Sequence, residues 1–228
     1  MSTGDGRGLT LTAPARHGQS GADVSGRGAV QTSAVRKVLD RDRVARLTAA
    51  LGTRSIVLVG IMGCGKSSVG RRLAQAIDLP FVDADTEIEA AANQTISEIF
   101  AQHGEAYFRA GEQRVIARLL KSGPQVLATG GGAFMNAETR EEVRKAGISV
   151  WLRAELQVVM QRVRRRGTRP LLQDPDPEGV LRRLLEEREP VYALADLAVW
   201  SRDVPHETVM NDIVAALEGH LGLPPAQD

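Results

Sequence analysis

The sequence predicts an α/β fold, a parallel sheet covered by helices on both faces, on three observations. A continuous apolar run, Ser55-Ile-Val-Leu-Val59, ends in glycine and suits a strand buried on both faces. Directly after it, Gly60-Ile-Met-Gly-Cys-Gly65-Lys66-Ser67 fits the phosphate-binding pattern G-x4-G-K-[ST] and leads into a helical pattern. Strand-like and helix-like segments then alternate to the end of the chain, as crossover connections between parallel strands require.

The 228 residues, 43% apolar and 25% charged, suffice for one domain with a tail. Residues 1–33 are Gly, Ser, Thr, Ala and scattered Arg without apolar periodicity, and so are expected to be a disordered tail. That tail partly resembles an organelle transit peptide, but a plain extension accounts for the same composition. Val35, Leu39, Val44, Leu47 and Leu51 recur at helical steps and predict an amphipathic helix within 34–53 that packs on the domain, which itself spans 54–221. After the first strand come a helix at 66–77 and a strand at Phe81–Asp83. Helical patterns follow around 86–91, 96–102 and 105–121, then a strand at Gln125–Thr129 and a helix at 137–145. Next are a strand at Ile148–Leu152, helices at 155–163 and 178–188, a strand at Ala198–Trp200 and a helix at 206–219. Between 164 and 177, RRRGTRPLLQDPDP carries one glycine, three prolines and dense charge, which suits a mobile flap; 222–228 are a second tail.

Charge excludes other classes. Lys plus Arg number 29 against 28 Asp plus Glu, and the excess of basic residues lies before Ser55. No apolar run is long enough to span a membrane, and the single cysteine, Cys64, allows neither an internal disulfide nor a cysteine zinc site. A reducing cytoplasm is the expected compartment, with no nucleic-acid or membrane partner.

In the 60–67 loop the glycines let successive N–H groups curl around phosphates, Lys66 supplies a point charge, and Ser67 can ligate magnesium at the helix start. Cys64 needs only to be small. Asp83-Ala-Asp85 falls at the carboxyl end of the second strand, where open α/β sheets bind ligands, and its spacing puts both carboxylates on one side of extended backbone. One acid can hold the magnesium hydration shell while the other orients a hydroxyl; alternatively Asp85 caps the next helix. Arg109, Arg169 and Arg188 are planar cations suited to carboxylate and phosphate, although each alone reads as a solvated surface residue. Thr129-Gly130-Gly131-Gly132 ends the third strand at the same edge and lets a ligand approach the backbone.

Taken together, GIMGCGKSSVGRRLA, FVDADTEIE, AYFRAGEQRVI, ATGGGA, the RPLL of the flap and EREPVY resemble shikimate kinase, from about Ile56 to Leu221. The resemblance implies a P-loop, nucleoside-monophosphate-kinase-like three-layer α/β/α fold with a five-stranded parallel sheet and a lid. It implies an enzyme that transfers the terminal phosphoryl group of MgATP to the 3-hydroxyl of shikimate, on the chorismate route to aromatic amino acids, and a monomer is expected. By motif match Gly63, Cys64, Gly65, Lys66, Ser67 and Ser68 would hold ATP, with Ser67 on magnesium and Asp83 supporting the ion through water. Asp85 would activate the acceptor hydroxyl, and Arg109 and Arg188 would clamp its carboxylate beside Gly130, Gly131 and Gly132. Arg169 would swing in with the lid, Arg162 would stack on adenine, and Arg202 would belong to the adenine loop. Ser68 stands where Thr is common, and nothing transfers to the first fifty residues.

Two other readings compete. A gluconate kinase would share the phosphate loop but lack the joint Asp-x-Asp, Phe-Arg, Gly-Gly-Gly and Arg-x-Pro set. A nucleotide-dependent RNA-binding switch is suggested by Arg162, Arg164, Arg165, Arg166 and Arg169, but the balanced charge and the absence of an aromatic platform oppose it.

Overall fold

The structure, a computed structural model, describes residues 39–166 and 174–224, all within the second of the chain's two compact units, Val38–Asp228. Among them five strands, Ser55–Val59 (β1), Phe81–Asp83 (β2), Val126–Ala128 (β3), Gly147–Arg153 (β4) and Leu197–Trp200 (β5), make one parallel sheet in the order β2-β3-β1-β4-β5. β1 lies at the centre and is buried throughout, which is why it reads as an unbroken apolar run. Its register pairs Leu58 with Ala128, and Asp83 pairs with the same Ala128. The chain therefore leaves β1, β2 and β3 at one level, and the turns after them form a common rim at the carboxyl edge.

The helices are Arg41–Leu51 (α1), Lys66–Ala76 (α2), Ala84–Ala92 (α3), Ile96–Leu120 (α4), Ala137–Ala146 (α5), Leu156–Arg166 (α6), Pro177–Tyr192 (α7) and His206–His220 (α8). α2 and α8 pack on each other and against β1, β3 and β5, whereas α5 lies on β4 and meets α4. The core between the layers is aliphatic, with Ile56, Leu58, Leu73, Ile116, Leu127, Leu152 and Ile213 all fully or nearly fully buried.

Local chemistry sets the boundaries. Asp40 accepts from the Arg43 amide at 2.7 Å, so α1 starts at Arg41 rather than at the expected 34; residues 34–38 lie outside the described residues. Leu47 and Leu51 bury this helix on the core, and Arg43 ties it to Glu218 of α8 with bonds of 2.7 and 2.9 Å. The two helices expected at 96–102 and 105–121 run end to end as α4 and are separated by a kink at Gly104, whose φ of 78° no helix accommodates. Thr95 and Glu98 cap that helix reciprocally. Both ends of the stretch expected to be a flap are helical or capping: α6 continues through Arg166, and Asp176 caps α7 by accepting from the Gly179 amide at 2.9 Å. The expected tail at 1–33 and the centre of the expected flap, Arg169 included, lie outside the described residues.

Candidate active site

The loop between β1 and α2 turns its backbone inward. Gly63 and Gly65 take φ of 81° and 105°, values that favour glycine, so the amides around them can face an anion at the start of α2. Gly60, at φ 132°, passes so close to β4 that a Cβ there would lie 2.8 Å from the Leu152 carbonyl oxygen. Lys66 Nζ donates to the carbonyls of Gly60 at 2.7 Å and Ile61 at 3.0 Å, which folds the side chain back over the loop. Cys64 is fully buried, and its carbonyl accepts from Ser201 Oγ at 2.6 Å and Arg162 Nη1 at 3.1 Å, pinning the loop from the side of α6 and β5.

Next to Lys66, Ser67 Oγ donates to Asp83 Oδ2 at 2.6 Å. The other Asp83 oxygen accepts from the Asp85 amide at 3.2 Å and caps α3. Here the sequence reading needs correction. The helix starts at Ala84, immediately after the cap, so Asp85 stands on the first turn of α3 and not on extended backbone, and the capping acid is Asp83 rather than Asp85. Both carboxylates nevertheless face one cavity of about 290 Å3 that runs from Lys66 and Ser67 to Gly131.

Beyond Gly131 the wall is built from side chains. A Cβ on Gly130 would sit 2.9 Å from Asp85 Oδ1 and 2.6 Å from Glu112 Oε1; a Cβ on Gly132 would sit 2.5 Å from Arg109 Nη1. The glycines are thus what allow an acid and a guanidinium to close on the turn. Arg109 donates to buried Glu112 at 2.8 Å and to Glu105 at 3.1 Å. Arg188 Nη1 donates to the Gly131 carbonyl at 3.3 Å, and the Tyr192 hydroxyl donates to that same oxygen. Burial pushes the Glu112 carboxyl above the usual range; the Arg109 bond opposes that rise and the charge of Asp85 adds to it. Two arginines, two acids and three glycines therefore meet beside a phosphate loop, an arrangement able to hold a hydroxylated carboxylate against a nucleotide.

A family profile described as shikimate kinase matches residues 62–218. The shikimate kinase of Bradyrhizobium diazoefficiens is 62% identical over 177 residues, covering 78% of this chain and 86% of that protein. The chain belongs to the shikimate kinase family. The enzyme of Rhodopseudomonas palustris, also named shikimate kinase, is 58% identical over 183 residues, covering 80% of this chain and 90% of its own length. Among solved structures, shikimate kinase from Acinetobacter baumannii in complex with shikimate superposes with a TM-score of 0.71 at 37% identity, over 76% of this chain and 97% of that one.

Within this shikimate kinase family member, Lys66, Ser67, Ser68, Asp83, Asp85, Gly63, Gly65, Gly131 and Arg162 line the cavity. Arg109, Arg188, Gly130 and Gly132 join it through the contacts above. Arg162 is held by Ser201 Oγ at 2.8 Å and the Arg202 carbonyl at 2.6 Å. Arg202 itself turns its guanidinium outward to Asp212 at 2.6 Å and reaches the site only through the carbonyl that holds Arg162; Asp203, Val204 and His206 line that flank. Arg169 lies outside the described residues. Two residues escaped the sequence reading, Glu112 and Tyr192. Glu112 carried a usable signal: it falls on the buried stripe Phe108–Glu112–Ile116, where a carboxylate has no place unless it is paired.

Proposed function

We propose that this chain transfers the terminal phosphoryl group of ATP to the 3-hydroxyl of shikimate, giving shikimate 3-phosphate and ADP for aromatic amino acid synthesis. The observation that supports it most is the meeting of Asp85, Arg109 and Arg188 on the Gly130–Gly132 turn, next to the loop that carries Lys66. In this reading the two guanidiniums hold the acceptor carboxylate. Asp85 orients the attacking hydroxyl and takes its proton as the new P–O bond forms, and ADP departs with the electron pair of the broken bond. Lys66 leaves the Gly60 and Ile61 carbonyls to meet the phosphates, and Arg169 would add positive charge to the transferring group.

The donor set fits magnesium. Ser67 Oγ and Asp83 Oδ2 are hard oxygen donors 2.6 Å apart, suited to an ion that keeps its waters and shares the nucleotide's phosphates. When bound, magnesium neutralises phosphate charge. A monomer acting in the cytoplasm is the accompanying expectation, and sedimentation with cell fractionation would check it.

The test is a coupled assay of ADP release across hydroxylated acids. Turnover should require shikimate, ignore gluconate and be indifferent to RNA. ADP release without any acceptor would favour a nucleotide switch, and turnover on gluconate would favour a sugar-acid kinase.

A further inference from the structure

We propose that Tyr192 is a positioning residue of the acceptor site, holding the Gly131 carbonyl so that Arg188 can leave it for the acceptor carboxylate while the glycine turn keeps its shape. The proposal rests on the function given above and adds a role to a residue outside the clamp.

Two donors converge on one oxygen, which its two lone pairs permit. They are unequal. The Arg188 bond is long at 3.3 Å and comes from a flexible side chain, whereas the Tyr192 hydroxyl makes the closer contact. Tyr192 is only 1% exposed, and its ring lies against Trp151 of β4 with centroids 6.0 Å apart, so packing holds it in place. Residues 188 and 192 are one turn apart on α7 and reach the turn from the same helix face. Burial pushes the phenol up to about 12 against the lowering effect of neighbouring Arg188, which keeps it a donor throughout the working range.

The consequence concerns acceptor binding. When Arg188 transfers to an incoming carboxylate, the Gly131 carbonyl loses one partner, and only Tyr192 prevents it from losing both. Gly131 also touches the phosphate loop, since a Cβ there would come within 3.1 Å of the Met62 amide nitrogen. A turn that relaxed would therefore shift the acceptor relative to the phosphates. The loop itself is fixed by Ser201 and Arg162 on the Cys64 carbonyl, so ATP binding should not depend on Tyr192.

Tyr192→Phe preserves the ring and removes only the hydroxyl. KM for shikimate should rise about fivefold or more, with KM for ATP within twofold of the parent. An unchanged shikimate KM, or equal rises for both substrates, would overturn the assignment. If the variant folds poorly, amide exchange of 129–133 in the parent decides: protection should persist when shikimate is added, and faster exchange would contradict the proposal. A parent chain that leaves shikimate unphosphorylated sinks the proposed function; an active parent with an unshifted variant sinks only the role of Tyr192.

Discussion

The two halves of the cavity are built by different means. The side proposed to take phosphates is built on the backbone of one contiguous loop between β1 and α2, whose positive φ values and close approach to β4 are written into adjacent residues, with Lys66 and Ser67 at its end. The acceptor side is assembled from side chains on α3, α4 and α7 around a three-glycine turn, and it is held by paired charges, one of them on a buried glutamate. A backbone cradle binds what every nucleotide offers. A side-chain clamp can be specific, and it can be altered one group at a time without disturbing the fold.

That contrast orders the expected effects. Lys66→Ala should lower turnover about a thousandfold while leaving the thermal transition in place, since the loss is of charge opposite the phosphates. Steady-state rates beside a melting curve check this. Asp85→Asn should slow turnover about a hundredfold and leave nucleotide affinity unchanged, measurable by single-turnover kinetics with ATP titration; near-normal turnover would remove Asp85 from its assigned role.

The same substitution should act differently on the two sides. Gly60→Ala forces a methyl against the Leu152 carbonyl at a φ of 132°, and Tm should fall by about 5 °C. Gly132→Ala meets the guanidinium of Arg109, a side chain that can shift where the Leu152 backbone cannot, so Tm should fall less than for Gly60→Ala while KM for shikimate rises severalfold. Equal Tm losses in both variants would erase the distinction.

The smallest effect concerns Glu112, whose Oε1 is buried without a hydrogen-bond partner among the described residues. Its carboxyl is raised in the folded state from 4.5, so between that value and the folded one the native protein holds a proton that the unfolded chain has released. Stability contributed by the neutral form is present at low pH and lost as pH rises through the folded value. Glu112→Gln should remove this loss, so its Tm advantage over the parent should widen from about pH 4.5 towards neutrality.

The contrast also explains what the sequence made legible. β1, the loop and α2 were readable because the residues that make them are consecutive. The helix break near Gly104 was readable for the same reason. A spacing of two reads as strand geometry for Asp85, but although β2 ends at Asp83 as expected, α3 begins at the very next residue, with Asp83 accepting the Asp85 amide. Arg202 enters the reading only through the family resemblance of its segment, and its pairing with Asp212, ten residues further on, is not visible in that motif. Tyr192 acts on Gly131 from 61 residues away, and no local pattern announces such a contact. Side-chain convergence of this kind depends on the tertiary fold, and only its ingredients are visible in the chain.

The central claim, that Arg109 and Arg188 read a carboxylate, is tested most directly by comparing kcat/KM for shikimate and for its methyl ester. The parent should prefer the acid about a hundredfold, and Arg109→Ala/Arg188→Ala should reduce that preference to about threefold or less. A double variant that still discriminated as strongly as the parent would show that the acceptor carboxylate is recognised elsewhere.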